Sequence, residues 1–449
     1  MDYGIISCIP IAVLIIGVLI TKKMAEMIIL SSLLGAILVH KGDFFSGYIG
    51  MMYGALANPS YQFLLIILLG FGAIIKLLEK SGALMGFSGI LSKYANSPKK
   101  SMVATWVMGI IMFVDDYLNV LATSFSMRAI TDRNGVPREH LAYGVNSMGA
   151  CVCVLIPFTS WAAFAVGVIS EQGFGFSDYV RSIPYMFFPW IAIIVCLLVA
   201  VGIIPKVGLI KKGYERVAAG GPVLVEEKAG DSLVNMEIDE GAKPSSPLNF
   251  IIPIVVLVAV MFMFENDVIH GILAAIAAQA ILYIAQRIMT LKEFMSNLFE
   301  GVASMATLAV VICFAYMLGA ANDAMGFAPY VIGAMTKAIS PSLLPALAFI
   351  AVAFVAFAAA SFWVLIIITV PIFIPLSVSM GVDPAIVIAA IMSGVAFGSK
   401  FCFYSDAVFM TSAGTGVSNM TQIKAVAPYV LSSAALAAIF YVIAGFVMV

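Results

Sequence analysis

Residues 249–264 read NFIIPIVVLVAVMFMF, and residues 346–360 read ALAFIAVAFVAFAAA. Neither run alternates apolar and polar residues, as a membrane β-barrel strand would. Continuous apolar runs of this length are helices in or near a bilayer, where a span needs about 20 apolar residues to cross about 30 Å of hydrocarbon. The rest of the 449 residues agrees: 63% are hydrophobic and only 10% charged, against about 25% charged in soluble domains. The expectation is an all-α polytopic membrane protein, with room for roughly ten to twelve spans. The 23 Lys and Arg nearly balance the 24 Asp and Glu, so no basic face points to nucleic acid as a partner.

The six cysteines (Cys8, Cys151, Cys153, Cys196, Cys313 and Cys402) lie in apolar stretches without CxxC spacing. They read as small buried hydrophobes. The histidines His40, His140 and His270 are scattered, and neither set suggests a metal centre or a cofactor. The N-terminus, MDYGIISCIPIAVLIIGVLITKK, has no basic region before its apolar run. It reads as a retained first helix rather than a signal peptide.

Basic clusters at Lys22/Lys23, Lys93/Lys99/Lys100 and Lys206/Lys211/Lys212/Arg216 order the crossings by the positive-inside rule. They place the N-terminus outside and the clusters in the cytoplasm of a prokaryotic inner membrane. One long polar stretch, 206–248, is rich in Gly, Pro, Ser and mixed charge and reads as a cytoplasmic linker. It divides the chain into membrane halves 1–205 and 249–449.

The halves resemble each other weakly. FFSGYIGMMYGAL from Phe44 pairs with FMSNLFEGVASM from Phe294, ALMGF (83–87) with AMGF (324–327), and GVP (135–137) with GVDP (381–384). FTSW (158–161) pairs with YSDA (404–407) at an offset of 246. The helix after Phe44 should run inward. The helix after Phe294 follows Arg287 and Lys292 and should run outward. The expectation is two inverted repeats with broken helices and re-entrant hairpins, a signature of secondary transporters whose site lies at the midplane.

Three polar blocks interrupt the apolar sequence. In FVDDYLNVLATSFSMR (113–128), Asp115 and Asn119 share a helical face, extended by Thr123, beside Asp116. Carboxylate, amide and hydroxyl oxygens suit a hard cation. An alternative is that Asp115 or Asp116 caps a helix or pairs with Arg128. In SKFCFYSDAVFMTSAGTG (399–416), Lys400, Ser405 and Asp406 precede a run of small residues. This suits a hairpin with an unwound tip; the alternative is an internal Lys400–Asp406 ion pair that only fixes the hairpin. LIPFTSWAAF (155–164) is its repeat partner, with Pro157, Thr159 and Ser160. The two tips should face each other. Ser361 falls in the repeat alignment near Asp116–Tyr117 and would complete the ring.

At these residues the chain resembles the NhaC-type Na+/H+ antiporters of the ion transporter superfamily. FVDDYLNVLATSFSMRAITDRNGVPREHLAY (113–143) is similar to that family's ADDYFN…MRPITD…SREKLAY block, and LIPFTSWAAF to its PISSW block. SDAVFMTSAGTGVSNMTQIKAVAPYVL (405–431) is similar to its SDTTILSSAGAG block. The resemblance implies ion-binding roles for Asp115, Asp116, Asn119, Thr159, Ser160, Ser405 and Asp406, with Na+ on Asp116, Asn119 and Asp406. It also implies a homodimer working as an elevator. The chain departs from the pattern twice. Asn146 stands where the family has Asp, and Gly398-Ser399-Lys400-Phe401-Cys402-Phe403 stands where it has Gly-Asp-His-Cys-Ser-Pro.

The favoured reading is an antiporter in which protons and Na+ compete for buried carboxylates, needing coupling ions and no cofactor. Lys400 keeps open a second reading, a Na+- or H+-coupled carrier of a small organic anion or amino acid. In either, the ammonium could occupy a cation's place or hold an anionic group. A remote third is an intramembrane prenyltransferase-like enzyme, since DDYLN (115–119) resembles one Asp-rich diphosphate motif. The second half lacks the matching motif.

Overall fold

A computed structural model describes residues 3–448 except 22–23, 84, 87–93, 114, 226–243, 265–266, 328–329, 331–339, 360–361 and 403–404. Its regular elements are helices, with no strand among the described residues. The first half comprises α1 (Ile9–Thr21), α2 (Met24–His40), α3 (Phe44–Ala57), α4 (Pro59–Lys80), α5 (Pro98–Ile111) and α6 (Asp116–Arg133). It continues with α7 (Arg138–Leu155), α8 (Ser160–Ser170), α9 (Phe176–Ser182) and α10 (Phe187–Val201). After α11 (Gly208–Ala218), the second half holds α12 (Leu248–Met263), α13 (Val268–Ala285), α14 (Leu291–Ser304), α15 (Ala306–Met325) and α16 (Leu344–Ala359). It ends with α17 (Phe362–Ser379), α18 (Pro384–Phe401), α19 (Asp406–Thr415) and α20 (Asn419–Met448).

The second series repeats the first. Helices starting at Phe44, Pro59, Pro98, Asp116, Arg138 and Ser160 have counterparts starting at Leu291, Ala306, Leu344, Phe362, Pro384 and Asp406, displaced by 246 or 247 residues. This register differs by a few residues from the Phe44–Phe294 pairing read in the sequence, because helix starts rather than similar letters set it. Contacts cross between the halves in matched pairs. Helix α14 packs on α4 and α3 on α15, α13 on α4 and α2 on α15, α19 on α6 and α8 on α17.

Some apolar stretches do not cross. The Asn134 side chain donates to the Ala95 carbonyl at 3.0 Å, so the chain before α5 meets the chain after α6. These helices of 14 and 18 residues, each about 21–27 Å long, are short of the about 30 Å of hydrocarbon and turn back where the Cys153 thiol near the end of α7 meets the Phe113 carbonyl, which makes them the legs of a re-entrant hairpin. Its tip is 112–115. In the second half, the Ser342 carbonyl packs on Gly445 near the far end of α20. The Asp383 carboxylate just after α17 takes a bond from Arg181 at 3.0 Å. The Tyr441 hydroxyl near the end of α20 donates to the Tyr185 carbonyl at 2.8 Å, which brings the Gly445 and Arg181 contacts, and so both ends of the α16–α17 pair, together.

The stretch 399–416, expected as a hairpin, instead belongs to a helix that breaks and continues. Arg138, at the start of α7, forks onto Asp132 at the end of α6 and also donates to the Thr415 carbonyl at the end of α19 at 2.5 Å. So α18–α19 runs away from the Asp383 face and ends beside Arg138. Helices α7–α8 run antiparallel to it, bent by 44°. All 18 residues of α7 are buried.

Candidate functional site

The two breaks are built alike. Pro157 has no N–H, and a residue before proline avoids helical backbone; Ile156 is extended, with φ −100° and ψ 120°. Helix α8 then restarts on Thr159, whose hydroxyl accepts the Ala162 N–H at 3.1 Å and donates back to the Cys153 carbonyl at 2.7 Å. Helix α19 restarts on Ser405, whose hydroxyl accepts the Val408 N–H at 3.2 Å and donates to the Ser399 carbonyl at 3.0 Å. Each residue and each partner of one break lies 246 positions from its counterpart in the other. Thr159 and Ser405 are helix caps, with hydroxyls engaged in holding the breaks open.

The first hairpin's tip sits against the first break. The Cys153 thiol donates to the Phe113 carbonyl at 3.2 Å. Asp115 caps α6 through its Oδ1, which accepts the Tyr117 N–H at 3.0 Å. Its Oδ2 accepts the Ser160 hydroxyl at 2.8 Å, a bond that joins hairpin tip to broken helix. Asp115 and Asp116 are 3% and 2% exposed. Two charges at this depth cost several kcal/mol unless ions, protons or dipoles meet them. The N-termini of α6 and α8 both supply positive dipole ends there.

Asn119 and Thr123, one and two turns further along α6, are fully buried. The Asn119 amide donates to the Gly109 carbonyl at 2.6 Å. Asn119 Oδ1 and Thr123 Oγ1 have no hydrogen-bond partner among the described residues, which leaves two oxygen acceptors for a ligand. The second hairpin packs on α8, where Trp161 stacks on Phe362 and meets Trp363 of α17 with 42° between the ring planes. Ser361 lies outside the described residues. Asp406 is the first residue of α19, and its side chain lies outside the described set.

Lys400 and Asn146 are the departure from the sequence expectation. The Lys400 ammonium, 1% exposed, donates to the Asn146 carbonyl at 2.7 Å and to the Ser147 carbonyl. The Asn146 amide donates back to the Lys400 carbonyl at 3.2 Å. Both residues lie between α7 and α18, with Lys400 directed at backbone.

A sequence profile described as the Na+/H+ antiporter family matches residues 152–446, spanning both breaks. The chain belongs to the Na+/H+ antiporter family. It is a secondary transporter, not an enzyme, which sets aside the prenyltransferase-like reading of DDYLN. An uncharacterised protein of Haemophilus influenzae is 22% identical over 98% of this chain and 91% of its own length. Among solved structures, the YdaH transporter of Alcanivorax borkumensis shares the fold. Its TM-score is 0.56 at 14% identity, covering 90% of this chain and 89% of that one. MtrF of Neisseria gonorrhoeae, described within a class of antimetabolite efflux pumps, gives a TM-score of 0.49 at 17% identity over 91% of this chain and 85% of its own.

One set of residues escaped the sequence reading. At the start of α7, Glu139 takes a two-pronged bond from Arg216 at 2.8 and 3.0 Å. The Arg138 N–H donates to the Val223 carbonyl at 3.0 Å, and the His140 ring meets the Tyr214 hydroxyl at 2.9 Å. Helix α11, inside the stretch read as a linker, is thereby strapped to α7. The adjacent charges in PREH (137–140) were the available signal, but they look like any solvated turn.

Proposed function

We propose that this chain exchanges Na+ for H+ across a cytoplasmic membrane, with Asp115 as the shared carboxylate. The observation that carries this reading is the 2.8 Å bond from Ser160 to Asp115. It sets one buried carboxylate where a hairpin tip, a helix break and two helix N-termini converge. A proton on that carboxylate and a Na+ beside it compete for the same oxygens, and competition for one site is what couples exchange. Asp116, Asn119 and Thr123 on α6 extend the oxygen set. The 246-residue repeat aligns Asp406 with Ser160 and Ser361 with Asp115, so the second half contributes a carboxylate and a hydroxyl in exchanged places. Thr159 and Ser405 hold the breaks that admit the ion, and Asn146 and Lys400 brace the helices behind it.

The direction of Lys400 favours an inorganic cation over an organic anion. An ammonium engaged by two carbonyls of α7 is not presented to a carboxylate substrate. In this reading the Arg138 face is cytoplasmic, the N-terminus is outside, and the chain works as a homodimer whose site-bearing bundle moves past a fixed scaffold.

The test is proton flux in proteoliposomes loaded with a pH-sensitive dye. With an acid interior, external Na+ should collapse the pH gradient, and N-methyl-D-glucamine should not. If neither Na+ nor Li+ moves protons anywhere between pH 6 and 9, the reading is wrong. Gradient collapse by lactate, malate or an amino acid instead would establish the organic-solute reading.

A further inference from the structure

Lys400 is among the largest fully buried side chains of the molecule. It stands in the last turn of α18, directly before the second break. No carboxylate lies within ion-pairing distance of its ammonium among the described residues. Its partners are the neutral carbonyl oxygens of Asn146 and Ser147, and the sulfurs of Cys151 and Cys196 lie beside it. The two carbonyls sit in the interior of α7, each with a second lone pair beyond the one the helix uses. The Oδ1 of Asn146 has no hydrogen-bond partner among the described residues, so a third neutral oxygen is available at the same residue.

A cluster of carbonyl oxygens that replaces a hydration shell is how proteins hold dehydrated monovalent cations. A bound ammonium has the same charge and similar demands: it donates and cannot accept. The arrangement between α7 and α18 is thus that of a cation site whose occupant is tethered.

We infer that the α7–α18 interface is a monovalent cation site, built from the Asn146 and Ser147 carbonyls, and that the Lys400 ammonium is its permanent occupant. Emptying the site should turn a built-in cation into a soluble one. This inference concerns occupancy of the interface and does not depend on Na+/H+ exchange being the transported chemistry.

Lys400→Ala removes the occupant, and methylammonium reproduces the lost Cε–Nζ end. The experiment is thermal unfolding of detergent-purified protein at constant ionic strength, with methylammonium, K+ or Na+ compared against N-methyl-D-glucamine. Wild type should show no saturable dependence on methylammonium beyond that of Lys400→Met, whose apolar chain fills the same space. Lys400→Ala should gain about 3 °C or more on saturation with at least one of the three cations. If Lys400→Ala cannot be recovered in N-methyl-D-glucamine, preparation in methylammonium or K+ must recover it. Failure in every cation, equal midpoints in all four, or equal sensitivity of Lys400→Met and Lys400→Ala would each overturn the inference.

Discussion

Asp115→Asn separates the carboxylate's charge from its structural duties. In the native site Oδ1 caps α6 by accepting the Tyr117 N–H at 3.0 Å, and Oδ2 accepts the Ser160 hydroxyl at 2.8 Å. Asparagine caps helices about as well as aspartate, so the first bond survives on the amide oxygen. The amide nitrogen then faces Ser160, whose hydroxyl rotates from donating to accepting. The change loses a charge-assisted bond, worth about 1 kcal/mol more than a neutral one, and up to about 1 kcal/mol of helix-dipole interaction. It also removes a buried charge, which works the other way. The net stability change should lie within about 1 kcal/mol, or roughly 2 °C of the unfolding midpoint. Transport should fall at least about 100-fold, since about 3 kcal/mol of ion and proton binding rests on that charge. The assay is Na+-driven dye response in proteoliposomes, normalised to reconstituted protein, with the midpoint measured on the same preparation. A variant that keeps transport within threefold of wild type would refute the reasoning. So would one that loses transport only because its midpoint has collapsed.

Three further outcomes follow from other parts of the fold. Arg138→Gln breaks the fork onto Asp132 and the bond to Thr415, and should cost about 3 kcal/mol; a midpoint within 1 °C of wild type would show that hairpin and broken helix are joined otherwise. Gly301→Val drives a side chain onto the Gly72 carbonyl and against Lys76, whereas a Cβ on the repeat-related Gly54 meets nothing within 4 Å among the described residues. The first should destabilise by about 1–3 kcal/mol and the second hardly at all, as thermal unfolding of the pair would show. Desolvation, reinforced by Asp323, pushes the Glu171 carboxyl up to about 7. A carboxyl raised on folding is held protonated by the fold, so stability falls as pH rises from about 4.5 to about 7. Compared with Glu171→Gln, wild type should lose ground across that window, by less than about 1 kcal/mol because the residue is exposed; parallel midpoint curves from pH 4.5 to 8 would disprove it.

How much of this was legible beforehand differs from residue to residue. The block 113–128 announced buried carboxylates, because Asp115 and Asp116 stand out against an apolar background whatever the fold. The similarity of FTSW to YSDA gave the repeat offset of 246, and the matching hydrogen bonds of Thr159 and Ser405 lie on that same offset. Their capping role was not separable from ligation by letters alone, because a hydroxyl near a proline serves either. Hairpin and span were also confused. The leg α16 is as apolar as a crossing helix, and for the first hairpin only the meeting of Asn134 with Ala95 at its base and of Phe113 with Cys153 at its tip shows that the chain turns back.

Hydrophobicity and charge are local properties, so the sequence by itself determined that the chain is helical and membrane-embedded, that it has two related halves, and which few polar residues lie between apolar neighbours. Direction and partnership are not local. Only the tertiary structure decided that Ser160 serves Asp115 across a gap of 45 residues, that Lys400 reaches carbonyls 254 and 253 residues away, and that Arg138 gathers the ends of three helices. At membrane depth a polar group without water must find its partner in the protein, and packing alone settles which partner is near.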